Sequence, residues 1–159
     1  MHIRKVATPE APSPSGPYSQ AVVTGRLVFL AGQRPVDPRS GEVPVGFPAQ
    51  VEQALSNVRM VLQSAGADLS DVVKLTAYLA DLTDFDCLNG VLRAWFAEPY
   101  PARTTVGVQL RDVLVELDVT AALPDDAERH HLLARKSMAA APAPGTDGRP
   151  TEAEESHAC

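Results

Sequence analysis

Only two stretches of this chain carry the spacing of an amphipathic helix, and that shortage constrains the fold more than any other feature. From Ala49 to Ser64 the apolar positions Val51, Ala54, Leu55, Val58, Val61 and Leu62 recur at intervals of three and four. That spacing lines them up on one helical face. Gly66 stands where a left-handed C-terminal cap belongs. The second stretch follows Thr83, whose pairing with Asp86 resembles an N-terminal box. Its buried side would be Phe85, Leu88, Leu92, Trp95 and Phe96, and Pro99 and Pro101 would end it.

The other apolar segments are too short for helices and read as strands. Ala7 to Pro17 carries four prolines and reads as an extended loop. Leu27 to Ala31 is a short apolar run closed by Gly32, and the turn-rich segment Pro35 to Gly41 follows it. Val73, Leu75, Ala77 and Leu79 alternate with Lys74, Thr76, Tyr78 and Ala80, the period of a half-buried strand. Arg103 to Gln109 and Val113 to Leu123 give two more, joined near Leu110-Arg111-Asp112 by a turn short enough for a hairpin. Strands, helix, strand, helix, strand, strand specify an α+β domain, with both helices on one face of a mixed sheet of about six strands. No further helix is available for the opposite face, so an oligomer is expected to cover it. After Pro124 the sequence turns polar, then Ala/Pro-rich and acidic. The domain is therefore expected to span residues 1–123, with 124–159 a disordered or loosely helical tail.

Composition narrows the function classes. A chain of 159 residues suits one domain plus a tail. Its formal net charge of −6 offers no general basic surface for a nucleic-acid backbone. The two cysteines, Cys87 in an apolar pattern and Cys159 in the tail, make neither a disulfide framework nor a metal site. No stretch is long and apolar enough to span a membrane, and the N-terminus lacks the apolar run of a signal peptide. A cytoplasmic protein is the expectation.

Several short motifs occur in a definite order. They are Gly16-Pro17-Tyr18-Ser19-Gln20-Ala21; Ala31-Gly32-Gln33-Arg34-Pro35-Val36-Asp37-Pro38 with Gly41-Glu42-Val43-Pro44; Gln50 with Gln53-Ala54-Leu55 and Asn57-Val58; Ala65-Gly66 before Asp71-Val72-Val73-Lys74-Leu75-Thr76; Asp84-Phe85 with Asn89; Tyr100-Pro101-Ala102-Arg103-Thr104-Thr105-Val106; and Glu116-Leu117-Asp118-Val119. Each alone is weak. In this order, over roughly residues 4 to 123, the chain resembles the RidA/YjgF family of reactive-intermediate deaminases. The resemblance implies a chorismate-mutase-like fold and a homotrimer with clefts at the subunit interfaces. It also implies hydrolysis of short-lived enamines and imines such as 2-aminoacrylate to 2-oxo acids and ammonia, with no cofactor.

Carried over position by position, the resemblance makes Arg103 the group that binds the substrate carboxylate. A planar guanidinium matches a carboxylate bidentately and stays charged; the competing reading is that Arg103 pairs with Glu116 or Asp118 and merely ties strands together. Glu116 would position a water at the imine carbon, or else be an ordinary strand carboxylate. Asp118 shares its face by the period of two, so the roles of the two acids could be exchanged. Tyr18 would line the cleft from a neighbouring subunit, or simply pack. Gly32 would let backbone approach the ligand, or form a turn. Asn89 is placed near the pocket or at an interface. Thr105 stands where many such deaminases have Cys, so no thiol is available there. The Phe96–Tyr100 connection and the Leu110–Val113 turn are shorter than usual. These departures keep two alternatives open: a pathway-dedicated enzyme acting on a larger carboxylate, or a non-catalytic trimer that binds small ligands or a partner. The ribonuclease activity described for some members of the family is disfavoured by the negative charge and the 5% aromatic content.

Overall fold

A computed structural model describes residues 3–125 of the chain; the expected tail lies outside the described residues from 126 onward. Six strands, β1 (Ile3–Val6), β2 (Ala21–Thr24), β3 (Leu27–Leu30), β4 (Val72–Leu79), β5 (Ala102–Gly107) and β6 (Val115–Ala122), form one sheet. Helix α1 (Phe47–Ala65) joins β3 to β4, and α2 (Phe85–Trp95) joins β4 to β5.

The sheet order is β1-β2-β3-β6-β4-β5. Only the β4–β5 pair is parallel. β6 runs antiparallel to both β3 and β4, so those two strands point the same way. Each helix therefore links strands of like direction, and both steps move toward the β5 edge. Right-handed crossovers taken in one direction put both helices on one face. This is the expected α+β architecture, a six-stranded mixed sheet with two helices.

The hairpin expected between the last two strands does not form. β4 lies between β5 and β6, and the short segment joining them carries the chain across the end of β4 instead. The Val108 N–H donates to the Leu79 carbonyl at 2.9 Å, and the Ala80 N–H donates to the Leu114 carbonyl at 2.9 Å. The reason is α2: a strand returning from a crossover helix pairs parallel to the strand the chain left, which moves β5 outward.

The buried stripe of α1 is the one its sequence spells. Val51, Ala54, Leu55, Val58, Val61 and Leu62 are fully buried against the sheet. The helix starts two residues early because Pro48 suits its first turn, and Gly66 closes it at φ 95°. In α2, Leu88 and Leu92 are buried, as is Phe96 just past its end, and Trp95 is half-buried, but Phe85 remains 39% exposed and serves another purpose. The N-terminal box is also displaced. The Asp81 carboxylate accepts from the Thr83 N–H at 2.8 Å and caps a single 3-10 turn, Leu82–Asp84, that leads into the helix. On β4 a register shift between Val72 and Lys74 sends Val72 into the core and leaves Val73 48% exposed. Leu75, Ala77 and Leu79 point to the helices as their alternation requires. No helix among the described residues is long and apolar enough to cross a membrane.

Leu55 tests how tightly this layer packs. Leu55→Ala is expected to cost about 2–5 kcal/mol in urea unfolding. A loss below about 1 kcal/mol would mean that the core is loosely filled.

Candidate active site: two half-sites on opposite faces of the sheet

β5 forms the sheet edge, and Arg103 sits level with Leu75 of β4. Paired residues share a face, so Arg103 projects on the helix side, beside α2. There Arg103 Nη1 donates to Asn89 Oδ1 at 2.7 Å, and the guanidinium lies 5.0 Å from the centre of the Phe85 ring. One hydrogen bond and one stacked ring orient the fork and, among the described residues, leave its other donors free to meet a ligand. The competing assignment, a tie to Glu116 or Asp118, is not what the side chain does. It borders a cavity of about 440 Å³ whose walls include Leu75, Leu92, Phe96 and Tyr100. Thr105 follows on the same face of β5, and its hydroxyl is buried without a hydrogen-bond partner.

The second group of residues gathers on the other face. Glu116 alternates with the buried Val115 and Leu117 on β6, so its carboxylate leaves the sheet away from the helices. It lies directly over Gly32. A Cβ built on that glycine would stand 2.0 Å from Glu116 Oε1 and 2.8 Å from its carboxyl carbon. Gly32 is thus required for the close approach of a side chain, a reason that neither reading of the sequence contained. A two-way main-chain bridge between Gln33 and Leu117 holds the two segments together at 2.7 and 3.1 Å. Tyr18 lines the same cavity of about 400 Å³, with Ser15, Arg34 and Arg111. Its hydroxyl accepts from the Ser15 N–H at 3.0 Å. Asp118 is engaged elsewhere: it accepts the Tyr78 hydroxyl proton at 2.8 Å, which holds the phenol above its usual pKa.

The structure therefore brings together Arg103, Asn89 and Thr105, and separately Tyr18, Gly32 and Glu116. It does not bring the two sets together within one chain. Glu116 is level with Tyr78 on β4, three positions beyond Leu75, and β4 separates its strand from β5. Strand geometry places the two backbones roughly 14 Å apart, with side chains on opposite faces. Sequence reasoning missed Phe85 as the support under Arg103, having assigned it to the core. It also missed the second cavity's arginines. Arg34 occupies the variable position of the Gly32-Gln33-x-Pro35 segment and Arg111 sits in the shortened turn, and charge at such places was the available signal. Among the described residues no group of three or more His, Cys, Asp or Glu could hold a metal ion.

A mixed sheet with helices on one face, a clamped arginine at its edge and a carboxylate over a glycine on the far side defines the class of molecule. Residues 8–123 match the family described as Endoribonuclease L-PSP, the RidA/YjgF family, and the chain belongs to it. A RutC family protein of Pyrococcus abyssi is 44% identical over 119 residues, 73% of this chain and 94% of that protein. The 2-iminobutanoate/2-iminopropanoate deaminase of Escherichia coli K12 is 39% identical over 123 residues, 74% of this chain and 96% of that enzyme. The crystal structure of RidA from the Antarctic bacterium Psychrobacter superposes with a TM-score of 0.73 at 41% identity, covering 76% of this chain and 99% of that one.

Two variants probe this geometry. Gly32→Ala is expected to move the Glu116 carboxylate by at least about 1 Å in a crystal structure, with stability changing by no more than about 1 kcal/mol because the displaced group borders a cavity. An unmoved carboxylate would contradict the close approach. Tyr78→Phe is expected to cost about 1 kcal/mol at neutral pH. The folded-state pKa of Tyr78 is raised, so this contribution is present below the phenol's ordinary value and is lost as pH rises through the folded-state one. The difference between the urea midpoints of the two proteins should begin to shrink as pH rises past about 10, the phenol's ordinary value, and go on shrinking through the folded-state one; a difference that does not change with pH in this range would exclude the proton shared with Asp118 as its source.

Proposed function

We propose that this chain hydrolyses reactive 2-imino acids, and the enamines in equilibrium with them, to 2-oxo acids and ammonia. The observation that carries the reading is the pre-set guanidinium of Arg103, clamped by Asn89 and Phe85 at the mouth of a cavity with apolar walls. A free fork of donors fixed in one plane suits a carboxylate far better than a mobile charge would. The deaminase name of the Escherichia coli relative, matched over nearly its whole length, supports the same chemistry.

Both half-sites must reach one small substrate, and within a single chain they face away from each other. We therefore assign the reaction to an oligomer, a homotrimer as the family likeness implies, in which the open sheet face of one subunit meets the β5 edge of the next. Arg103 of one subunit holds the substrate carboxylate, while Glu116 and Tyr18 of its neighbour stand over the imine carbon. Glu116 takes a proton from water as the oxygen adds to that carbon and the C=N electron pair moves to nitrogen. Glu116 passes that proton to the nitrogen, giving the carbinolamine, which then collapses: its hydroxyl proton is relayed to nitrogen as the carbonyl forms, the C–N bond breaks, and ammonia leaves. An enamine is first protonated at carbon to give the imine. Thr105, close to Arg103 on the same face, offers a hydroxyl for the substrate carboxylate. The endoribonuclease reading finds no support in charge, since the net value is −6 and an RNA backbone needs a basic track.

The test is to generate 2-aminoacrylate in place with a dehydratase and follow the decay of the imine. Wild type should accelerate it. Arg103→Ala should lose about 10- to 100-fold in kcat/KM, the worth of a charge-assisted hydrogen bond, with Arg103→Lys in between. Glu116→Gln should lose about 100-fold or more in kcat with little change in KM. Failure of the wild-type protein to speed the decay would remove the deaminase reading.

A further inference from the structure

We propose that the Glu116 cavity holds a second anion-binding place, formed by Arg34 and Arg111, and that this chain prefers 2-imino acids whose side chain carries an anionic group of its own. The inference rests on the deaminase reading and extends it to the substrate class. Arg34 and Arg111 come from loops far apart in sequence, yet both line the cavity that contains Tyr18, Gly32 and Glu116.

Their placement is built rather than incidental. The main chain at Arg34 is pinned from the core, because the buried Asn57 amide donates to the carbonyls of Arg34 and Val36, each at 2.9 Å. The Arg34 guanidinium then reaches across and donates through Nη2 to the Arg111 carbonyl at 2.9 Å. The Arg111 loop is held again at its far end, where the Leu114 N–H donates to Gln50 Oε1 at 2.8 Å. Next to Arg111, Asp112 takes a left-handed conformation at φ 62°, a sparsely occupied state for a residue with a side chain. Two loops are thus locked so that two cationic side chains share one opening.

Neither guanidinium has a carboxylate partner among the described residues, Glu116 included. Two like charges at one cavity repel, and an anion between them relieves the repulsion. Two guanidiniums against the one Glu116 carboxylate leave the lining of the cavity with an excess positive charge, which a bound anion would meet. The reactive carboxylate is already assigned to Arg103 of the neighbouring subunit, so the anion here belongs to the substrate's other end. A carboxylate or a phosphate would fit the paired forks equally well. The reaction itself is unchanged: water adds to the imine carbon, ammonia leaves, and a 2-oxo acid bearing the second anionic group is released.

The experiment compares two imines made in place, 2-iminosuccinate from D-aspartate with D-aspartate oxidase and 2-iminopropanoate from D-alanine with D-amino-acid oxidase. The readout is the ratio of their kcat/KM values. In wild type the ratio should exceed one, and Arg111→Ala should lower it about tenfold, the loss of one charge-assisted contact. Arg111→Lys should restore part of it. Arg111 is exposed and its carbonyl, not its side chain, receives Arg34, so the variant keeps that bond. A wild-type ratio below one, or a ratio unmoved by Arg111→Ala, overturns the inference. If neither imine is hydrolysed, the deaminase reading fails on its own account. Calorimetric titration with glutarate, butyrate and inorganic phosphate then decides the anion site. Tighter binding of glutarate or of phosphate than of butyrate, lost in Arg111→Ala, supports it and tells carboxylate from phosphate. Equal affinities for all three overturn it.

Discussion

The placement of β6 between β3 and β4 governs the rest of the molecule. With antiparallel main-chain pairing on both sides, β6 can alternate strictly, and it does: Val115, Leu117, Val119 and Ala121 face the helices while Glu116, Asp118 and Thr120 face away. The same placement leaves β5 as the edge strand on the far side of β4. Arg103 then falls on the helix face and Glu116 on the open one. A hairpin of β5 with β6 would have set those strands side by side; with β4 between them, Arg103 and Glu116 lie apart on opposite faces.

Buried amides turn this frame into a shaped cavity. Gln20 is 3% exposed and its carboxamide serves the proline-rich segment, accepting from the Thr8 N–H at 2.6 Å and donating to the Ala11 and Pro12 carbonyls at 3.2 and 2.9 Å. Asn57 holds the loop that carries Arg34, and Gln50 joins the Pro44 carbonyl to the Leu114 N–H. Three side chains, one just before β2 and two on α1, therefore satisfy loop groups that would otherwise be unpaired. Each of those loops contributes to the neighbourhood of Glu116. Polar satisfaction beneath the cavity thus holds the loops that line it.

Much of this was legible in the sequence where one local period dominates. The stripe of α1 and the alternation of β4 fix their own faces, and the ordered motifs picked out Arg103, Asn89, Tyr18, Gly32 and Glu116. What was not legible depends on partners distant in the chain. The strand Ile3–Val6 has no alternating apolar face and exists because β2 offers it an edge. Val72 replaced Val73 in the core through a shift in pairing with β6, which no reading of β4 alone contains. Phe85 looked like core by spacing, but its ring ended beneath a cation from β5. What a side chain at Gly32 would meet is a glutamate on another strand. In each case the deciding atom belongs to a different element.

The open face makes the same point at the level of assembly. It presents Leu27 and Phe29, 42% and 44% exposed, beside polar side chains, a mixture that would ordinarily be costly to cover because buried polar groups need partners. Here several of the polar groups already have partners within the sheet: Tyr78 with Asp118, and Lys74 with Thr104. Those pairs lower the cost of covering the face, while Leu27 and Phe29 gain from burial. The pairing that raises the Tyr78 pKa thus also suits this surface to a second copy of the chain. In the oligomer proposed above, two half-sites, each incomplete alone, would give a reason for that copy to be there.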